Sequence, residues 1–507
     1  MSINTYIKIL KDIPLDNTYR DTIFFDTQAN QSSYFNSKVV FTLTENTYQR
    51  IPNVMRISIA ADKLYDCNYL MFSNINNYKN KTFYAFITEI KYINETTTEL
   101  AYEIDVMQTW HFDYTFNPSF VEREHAATDN IGDNLVPEVL ELGDYKIYAE
   151  HRTGYMDYGD YCIVIACTFD MDLANAVGDR YAGIYSGLKF LKFDATETGI
   201  ADLNDFLLTV ASGNKSDGIV SIFMMPGQFF KLSTDQADAY PVFLSKHYSS
   251  LDGYVPKNKK LFCYPYNMLY VTNLNGVSAE YHYEYHALTD HSTNAIEFDI
   301  QCDVSPNPTA MLVPYKYKGS TDFNYNEKMT MDGFPQCAYN IDSFKAWLAQ
   351  NAVSSGVAIA GGAISTIAGA VTGSAVGVSS GILSIAQSVG QIYTAHTMPP
   401  QAHGSTGNSA MVAFGIKDFH FYEMGIRAEF ARIIDEYFTM FGYATHRVKV
   451  PNRNTRPYWN YVKTISCCLT GSVPFNDMRK IKQIHDNGIT YWKSGANVGN
   501  YALNNLI

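Results

Sequence analysis

Few residues of this chain stand at spacings that catalysis uses. His282, Glu284 and His286 alternate within Tyr281-His282-Tyr283-Glu284-Tyr285-His286. On a strand they share one face and offer two imidazoles and a carboxylate, a donor set suited to a transition metal. The plainer reading is a polar solvent face opposite the three tyrosines, and no metal ligand is assigned. Gly377-Val378-Ser379-Ser380-Gly381 matches the GxSxG pattern of hydrolases, but a nucleophile elbow needs a strand-to-helix turn and this stretch reads as part of a glycine-spaced helix. Glu138 and Glu141 would form a glycosidase acid/base pair only at a separation that the sequence does not fix. HExxH, Walker A, GxGxxG and EF-hand patterns are absent and the twelve histidines are scattered, so no catalytic residue and no cofactor are assigned.

The elements around these residues are mainly strands. Aromatics make up 14% of the 507 residues, with 39 Tyr and 30 Phe, side chains that fit a pleated, half-buried surface. Residues 82–110 read as a hairpin whose second arm sets Leu100, Tyr102, Ile104 and Val106 against Glu99, Ala101, Glu103 and Asp105. Similar aromatic, β-branched runs recur at 161–169, 261–272 and 279–300. The clearest helix is expected over 422–441, with Ile426, Phe430, Ile433, Tyr437 and Met440 inward and Arg427, Glu429, Arg432 and Glu436 outward. A formal charge of −13 has the wrong sign for tight nucleic-acid binding. The eight cysteines lack paired metal spacing and read as free thiols. Residues 1–16 carry Lys8, Lys11, Asp12 and Asp16 without a sustained apolar stretch, so no signal peptide and a cytoplasmic assembly are expected.

One segment breaks every trend. Between Lys345 and Lys417 lie 71 residues with no Asp, Glu, Lys or Arg, in a chain that is 18% charged. By composition alone such a run has a chance on the order of one in a million. Residues 353–392 are built almost wholly from Gly, Ala, Ser, Thr, Val and Ile. Gly369, Gly373, Gly377 and Gly381 repeat every fourth residue, which on a helix lines one groove and admits another backbone. Residues 353–371 and 374–392 would each rise about 28 Å as helices, close to a bilayer's hydrocarbon thickness. Along the second half Val378, Ile382, Ile385, Val389 and Ile392 oppose Ser380, Ser384, Gln387 and Gln391. With so many polar and glycine positions, conditional rather than constitutive insertion is expected. A helical hairpin buried in a soluble core is the competing reading, and the lack of any charged outer face stands against it.

Specific strings near both ends resemble the tail-knob, or distal tube, proteins of picovirus-type short-tailed phages of Gram-positive bacteria. Near the N-terminus they are Asp62-Lys63-Leu64-Tyr65, Phe83-Tyr84-Ala85-Phe86, Glu103-Ile104-Asp105-Val106, Gln108-Thr109-Trp110 and Phe120-Val121-Glu122-Arg123-Glu124-His125. Near the C-terminus they are Gly442-Tyr443, Arg447-Val448-Lys449, Pro451-Asn452, Thr455-Arg456, Asn460-Tyr461-Val462, Asp486-Asn487-Gly488-Ile489-Thr490 and Gly499-Asn500-Tyr501. The resemblance covers roughly residues 1–145 and 335–507. It implies a virion structural protein at the tail tip, a homo-oligomeric ring of six β-rich subunits joined to the upper tail or collar protein. Viral DNA would pass through its lumen without sequence-specific binding. It also implies that a long hydrophobic loop from each subunit plugs the lumen and on release enters the host cell membrane as a channel.

The expected fold class is therefore mainly β with some α, β-rich tube-forming domains in a ring plus a glycine-rich hydrophobic loop or helical hairpin. Expected divisions are a tube domain over 1–130, a knob body over 131–340, the membrane-active loop over 341–412 and a return to the tube over 413–507. The membrane-active residues are expected to be Val353, Ile359, Ile364, Ile367, Gly369, Gly373, Gly377, Gly381, Ile382, Ile385, Val389 and Ile392. Glu122-Arg123-Glu124 and Arg447-Val448-Lys449 are expected to make ion pairs. Two rival functions are a tail-tip cell-wall hydrolase, using carboxylates in 146–334, and a free pore-forming toxin, which would normally need a signal peptide.

Overall fold

The computed structural model describes residues 4–330, apart from 48–52, 75–80, 154–160, 275, 288–294, 303–308 and parts of 170–239, together with 336–337 and 419–507. Strands dominate and helices are few, so the chain is mainly β with some α. It divides into two compact units: Met1–Gly143 with Gly253–Cys263 and Arg427–Ile507, and Asp144–Asp252 with Tyr264–Ile426. These limits differ from those drawn on the sequence. Residues 131–143 and 253–263 pack in the first unit, and the return strand up to Ile426 packs in the second.

The first unit holds a six-stranded antiparallel sheet in the order Val39–Thr47, Asn4–Lys11, Cys67–Asn74, Thr82–Asn94, Thr97–Ile104, Val54–Ile57. The expected hairpin is its fourth and fifth strands, closed by a turn in which the Thr96 amide donates to Asn94 Oδ1 at 3.0 Å. Its second arm stops at Ile104 rather than running through Val106. Asp105 ends it by capping a four-residue helix, Val106–Thr109, accepting from the amides of Met107 and Gln108 at 3.0 and 3.1 Å and from Tyr69 Oη at 2.9 Å. Burial pushes this carboxyl up to about 6, against which the three hydrogen bonds act. Asp105→Ala leaves three buried donors unpaired and is expected to cost about 2 kcal/mol in denaturant unfolding at pH 7.

A second sheet joins the two ends of the chain, in the order Asp21–Ile23, Ile489–Trp492, Trp459–Ile465, Ser119–Glu124, Tyr443–Lys449. Only the first pair is parallel. The charged strings expected to form ion pairs do so within this unit: Glu122 with Lys463 at 2.8 Å, Glu124 with Lys449, and Arg123 with Glu138. His125 is buried beside them, its Nδ1 accepting from the Tyr461 amide at 2.7 Å and its Nε2 donating to Thr439 O at 3.0 Å. Burial lowers its pKa to about 3, so the ring is neutral and serves as a structural bridge.

The long helix begins later than its periodicity predicts and is turned. Residues 420–426 form a strand, and the helix is Ala428–Phe441. It buries Ala431, Ile434, Asp435 and Phe438, while Ile433, expected inward, is 64% exposed. The turn follows from Asp435, whose carboxylate accepts from Tyr254 Oη, the Lys257 and Asn258 amides and Asn258 Nδ2 at 2.7–2.9 Å. That carboxylate seats the Gly253–Cys263 excursion within the first unit.

In the second unit three sheets share one apolar core. A five-stranded sheet contributes Val164, Phe190 and Phe223. A four-stranded sheet of Tyr240–Ser245, Ala295–Cys302, Ala310–Pro314 and Met329–Thr330 contributes Ile296, Phe298 and Leu312. The third sheet, in the order Tyr145–Arg152, His420–Ile426, Asn267–Thr272, Ser278–Tyr281, contributes Leu269, Val271, Phe419 and Phe421. Two expected strands are broken. Residues 259–262 form a short 3₁₀ turn before the strand at 267–272, and 279–300 is interrupted by another at 283–285. Cys67, Cys162, Cys167, Cys263, Cys467 and Cys468 are free thiols; Cys467 is buried and its neighbour Cys468 exposed, both in the connection between Trp459–Ile465 and Leu469–Gly471.

Candidate functional site

All twelve residues assigned to the membrane-active run, from Val353 to Ile392 with Gly369, Gly373, Gly377 and Gly381 among them, lie outside the described residues, as does the GxSxG match. Among the described residues no helix is long and apolar enough to cross a membrane. What the structure places are the two strands that flank the uncharged segment, both in the second unit. Before it, Gln336–Cys337 lies at the edge of the five-stranded sheet, with two register pairs to the strand Ile219–Pro226. After it, His420–Ile426 is an inner strand, paired along its whole length with Tyr145–Arg152 and through residues 420–425 with Asn267–Thr272.

Burial along this return strand does not alternate: His420, Phe421, Gly425 and Ile426 are buried, and residues 422–424 between them are half-buried. Phe419 and Phe421 are wholly buried, and the Phe421 ring meets Phe298 at 5.5 Å. On the other side His420 Nδ1 lies 3.0 Å from Glu150 Oε1. Glu423 is shared by two imidazoles, with His151 Nε2 2.9 Å from Oε1 and His247 Nδ1 3.3 Å from Oε2. His247 Nε2 donates to Ser250 O at 2.7 Å, and its ring stacks on Tyr148 at 4.9 Å. The hydrogen bond to Glu423 raises the His247 pKa, and the same bond holds the Glu423 carboxyl below its usual range against its burial. Tyr148 Oη donates to Ile426 O at 2.7 Å, and a Cβ on Gly425 would stand 2.6 Å from that hydroxyl, so only glycine admits the contact.

The other candidates separate. The strand ends at Tyr281, so His282, Glu284 and His286 do not alternate on one face. His282 stacks on Tyr264 at 3.8 Å, Glu284 accepts from the Tyr264 amide, and His286 is buried against Tyr317. Burial lowers the two histidines to about 4 and 3, leaving neutral rings in an aromatic cluster in place of the expected solvent face. Among the described residues no three His, Cys, Asp or Glu side chains are placed to hold a metal. Of the glycosidase pair, Glu138 has a side chain 2% exposed and is held by Arg123, Lys260 and the Ala444 amide, while Glu141 is exposed. The Glu423 cluster escaped the sequence reading because its partners are far away in the chain and Glu423 fell inside a predicted helix.

Comparison with known proteins agrees with this architecture. The family model for the C-terminal domain of the Bacillus phage phi29 tail knob protein gp9 matches residues 229–506, and that for the caudoviral major tail protein N-terminus matches residues 3–115. The tail knob protein gp9 of Bacillus phage PZA is 28% identical over 99% of this chain and 98% of its own. That of phage phi29 is 27% identical with the same coverage. These alignments span 597 and 603 positions, more than the chain has residues, so the relatives carry residues that this chain lacks. The solved tail knob protein gp12 of bacteriophage C1 superposes with a TM-score of 0.60 over 98% of each chain at 16% identity, a likeness of fold. With more than half its length matched by the gp9 model, the chain belongs to the family of the phage phi29 tail knob protein, a structural component of the phage tail.

Proposed function

We propose that copies of this chain form the distal tube of a short phage tail, and that residues 353–392 of each copy plug the lumen and then enter the host cell membrane to form a channel for the genome. The observation that carries this reading is the 71-residue uncharged run within a member of the tail-knob family. A closed ring gives each sheet edge a neighbour and can hide apolar segments from water until release. Six copies, the ring order taken from resemblance, would carry six times −13, and a negative lumen lets DNA slide without sticking. The upper tail or collar protein is the expected neighbour within the virion.

The glycine spacing gives the direct test. Gly373→Leu with Gly377→Leu puts two bulky side chains into the groove through which helices would approach. The double variant is expected to assemble with unchanged mass by light scattering and to release dye from anionic liposomes much more slowly than the parent. Unchanged leakage would remove the glycine groove from the mechanism.

A further inference from the structure

The strand His420–Ile426 is the first described element after the uncharged segment apart from Phe419, and imidazole–carboxylate contacts tie it to its surroundings. His247 has an acceptor at each ring nitrogen, Glu423 Oε2 at 3.3 Å and Ser250 O at 2.7 Å. A neutral ring carries one N–H, so satisfying both acceptors requires the imidazolium. Glu423 in turn faces an imidazole at each oxygen, the second being His151. We propose that His151, Glu423 and His247 form a pH-bounded clamp on this return strand, holding it most tightly in mildly acidic solution and loosening toward alkaline pH.

The neighbouring charges and titrating groups belong to every element around the clamp. The strand Tyr145–Arg152 brings Tyr148, stacked on His247, and Glu150, engaged with His420. Lys146 on the same strand pairs with Asp252. The strand Asn267–Thr272 brings Asn267, whose side-chain amide donates to His247 O at 2.6 Å. Tyr283 senses the Glu423 charge, and Lys246 donates to His286 O at 2.7 Å. On the return strand itself lie His420 and Tyr422.

The signs follow from the two shifts. The raised His247 contributes fully below the ordinary imidazole value of 6.5 and loses its contribution as pH rises through its higher folded value. The lowered Glu423 contributes fully above the ordinary carboxyl value of 4.5 and loses its contribution as pH falls through its lower folded value. Both are complete between 4.5 and 6.5.

This inference rests on the membrane reading only for its consequence, that the root of the segment is pH-sensitive; the clamp itself is testable alone. Backbone hydrogen exchange of peptides covering 420–426 would be measured in the full-length oligomer from pH 5 to 9, as protection factors corrected for intrinsic exchange, with Asn4–Lys11 in the other unit as reference. Wild-type protection is expected to be greatest near pH 5.5 and to fall relative to the reference by roughly tenfold for each pK unit of the His247 shift. His247→Gln should flatten the profile above pH 6.5. Should that variant not fold, the wild-type profile and the titration of the His247 ring signal decide. A wild-type profile parallel to the reference, a His247→Gln profile equal to wild type, or a His247 ring titrating at or below the ordinary imidazole value would overturn the clamp. Dye leakage measured on the same samples separates the two claims: leakage absent at every pH with the exchange profile intact sinks the membrane reading and leaves the clamp.

Discussion

Replacing residues 353–392 by a short Gly-Ser linker is expected to abolish dye release from anionic liposomes at every pH from 4.5 to 7.5 while leaving the number of subunits per oligomer, read by light scattering, unchanged. The first expectation follows from composition, because this is the part of the chain with no charge to keep it in water and enough length for two passes of about 28 Å. The second follows from the fold. The flanking strands Gln336–Cys337 and His420–Ile426 belong to sheets whose described core residues, Val164, Phe190, Phe223, Phe298 and Phe421 among them, lie outside 353–392. A flexible linker can span the gap at a closure cost that changes only slowly with its length. Loss of the oligomer together with leakage would make the segment a structural core element, and persistence of leakage would place the perforating activity in another part of the chain.

The largest loss of stability from a single side chain is expected for Asp435→Ala. Its carboxylate, on a residue 1% exposed, satisfies two backbone amides, a tyrosine hydroxyl and an asparagine amide from the Gly253–Cys263 excursion. Removing it takes the acceptor from three donors, the Tyr254 hydroxyl and the Lys257 and Asn258 amides, while Asn258 Nδ2 keeps Asp435 O and Thr439 Oγ1, and is expected to cost about 4 kcal/mol in urea unfolding. Asp435→Asn keeps the volume and one acceptor oxygen and should cost about half as much. Tyr254→Phe removes one of the four donors along with its bond and should cost about 1 kcal/mol. Equal losses for Asp435→Ala and Tyr254→Phe would show that the backbone of 257–258 is held by something else.

Where signals were local, the sequence alone located them. The 82–104 hairpin is legible because period-two burial and an Asn-led turn act over a few residues. Its end is not, because Asp105 reads as one more polar outward position until Tyr69 is known to stand over it. In 420–426 the apolar positions Phe421 and Ile426 fit a helical stripe as well as a strand, and pairing on both sides by residues near 150 and 270 decides for the strand. The turn of the following helix depends on Asp435, an inward carboxylate that amphipathic reasoning sends outward. His151, His247 and Glu423 meet only because three separate stretches fold together, so no spacing rule could have joined them. The uncharged run is the reverse case, legible from composition and lying outside the described residues.

The unequal seating of the two flanking strands has a mechanical consequence. Among the described residues, Gln336–Cys337 makes two register pairs at a sheet edge, whereas His420–Ile426 is laced on both sides into the middle of another sheet. Under tension along the chain, a short edge ladder peels pair by pair, while a strand bonded on both flanks must break two ladders before it moves. A pull on the uncharged run would therefore draw slack from its upstream end and leave the downstream end as a fixed tether. In the proposed release, each copy would stay leashed to its own folded body by the same strand however far the run travelled.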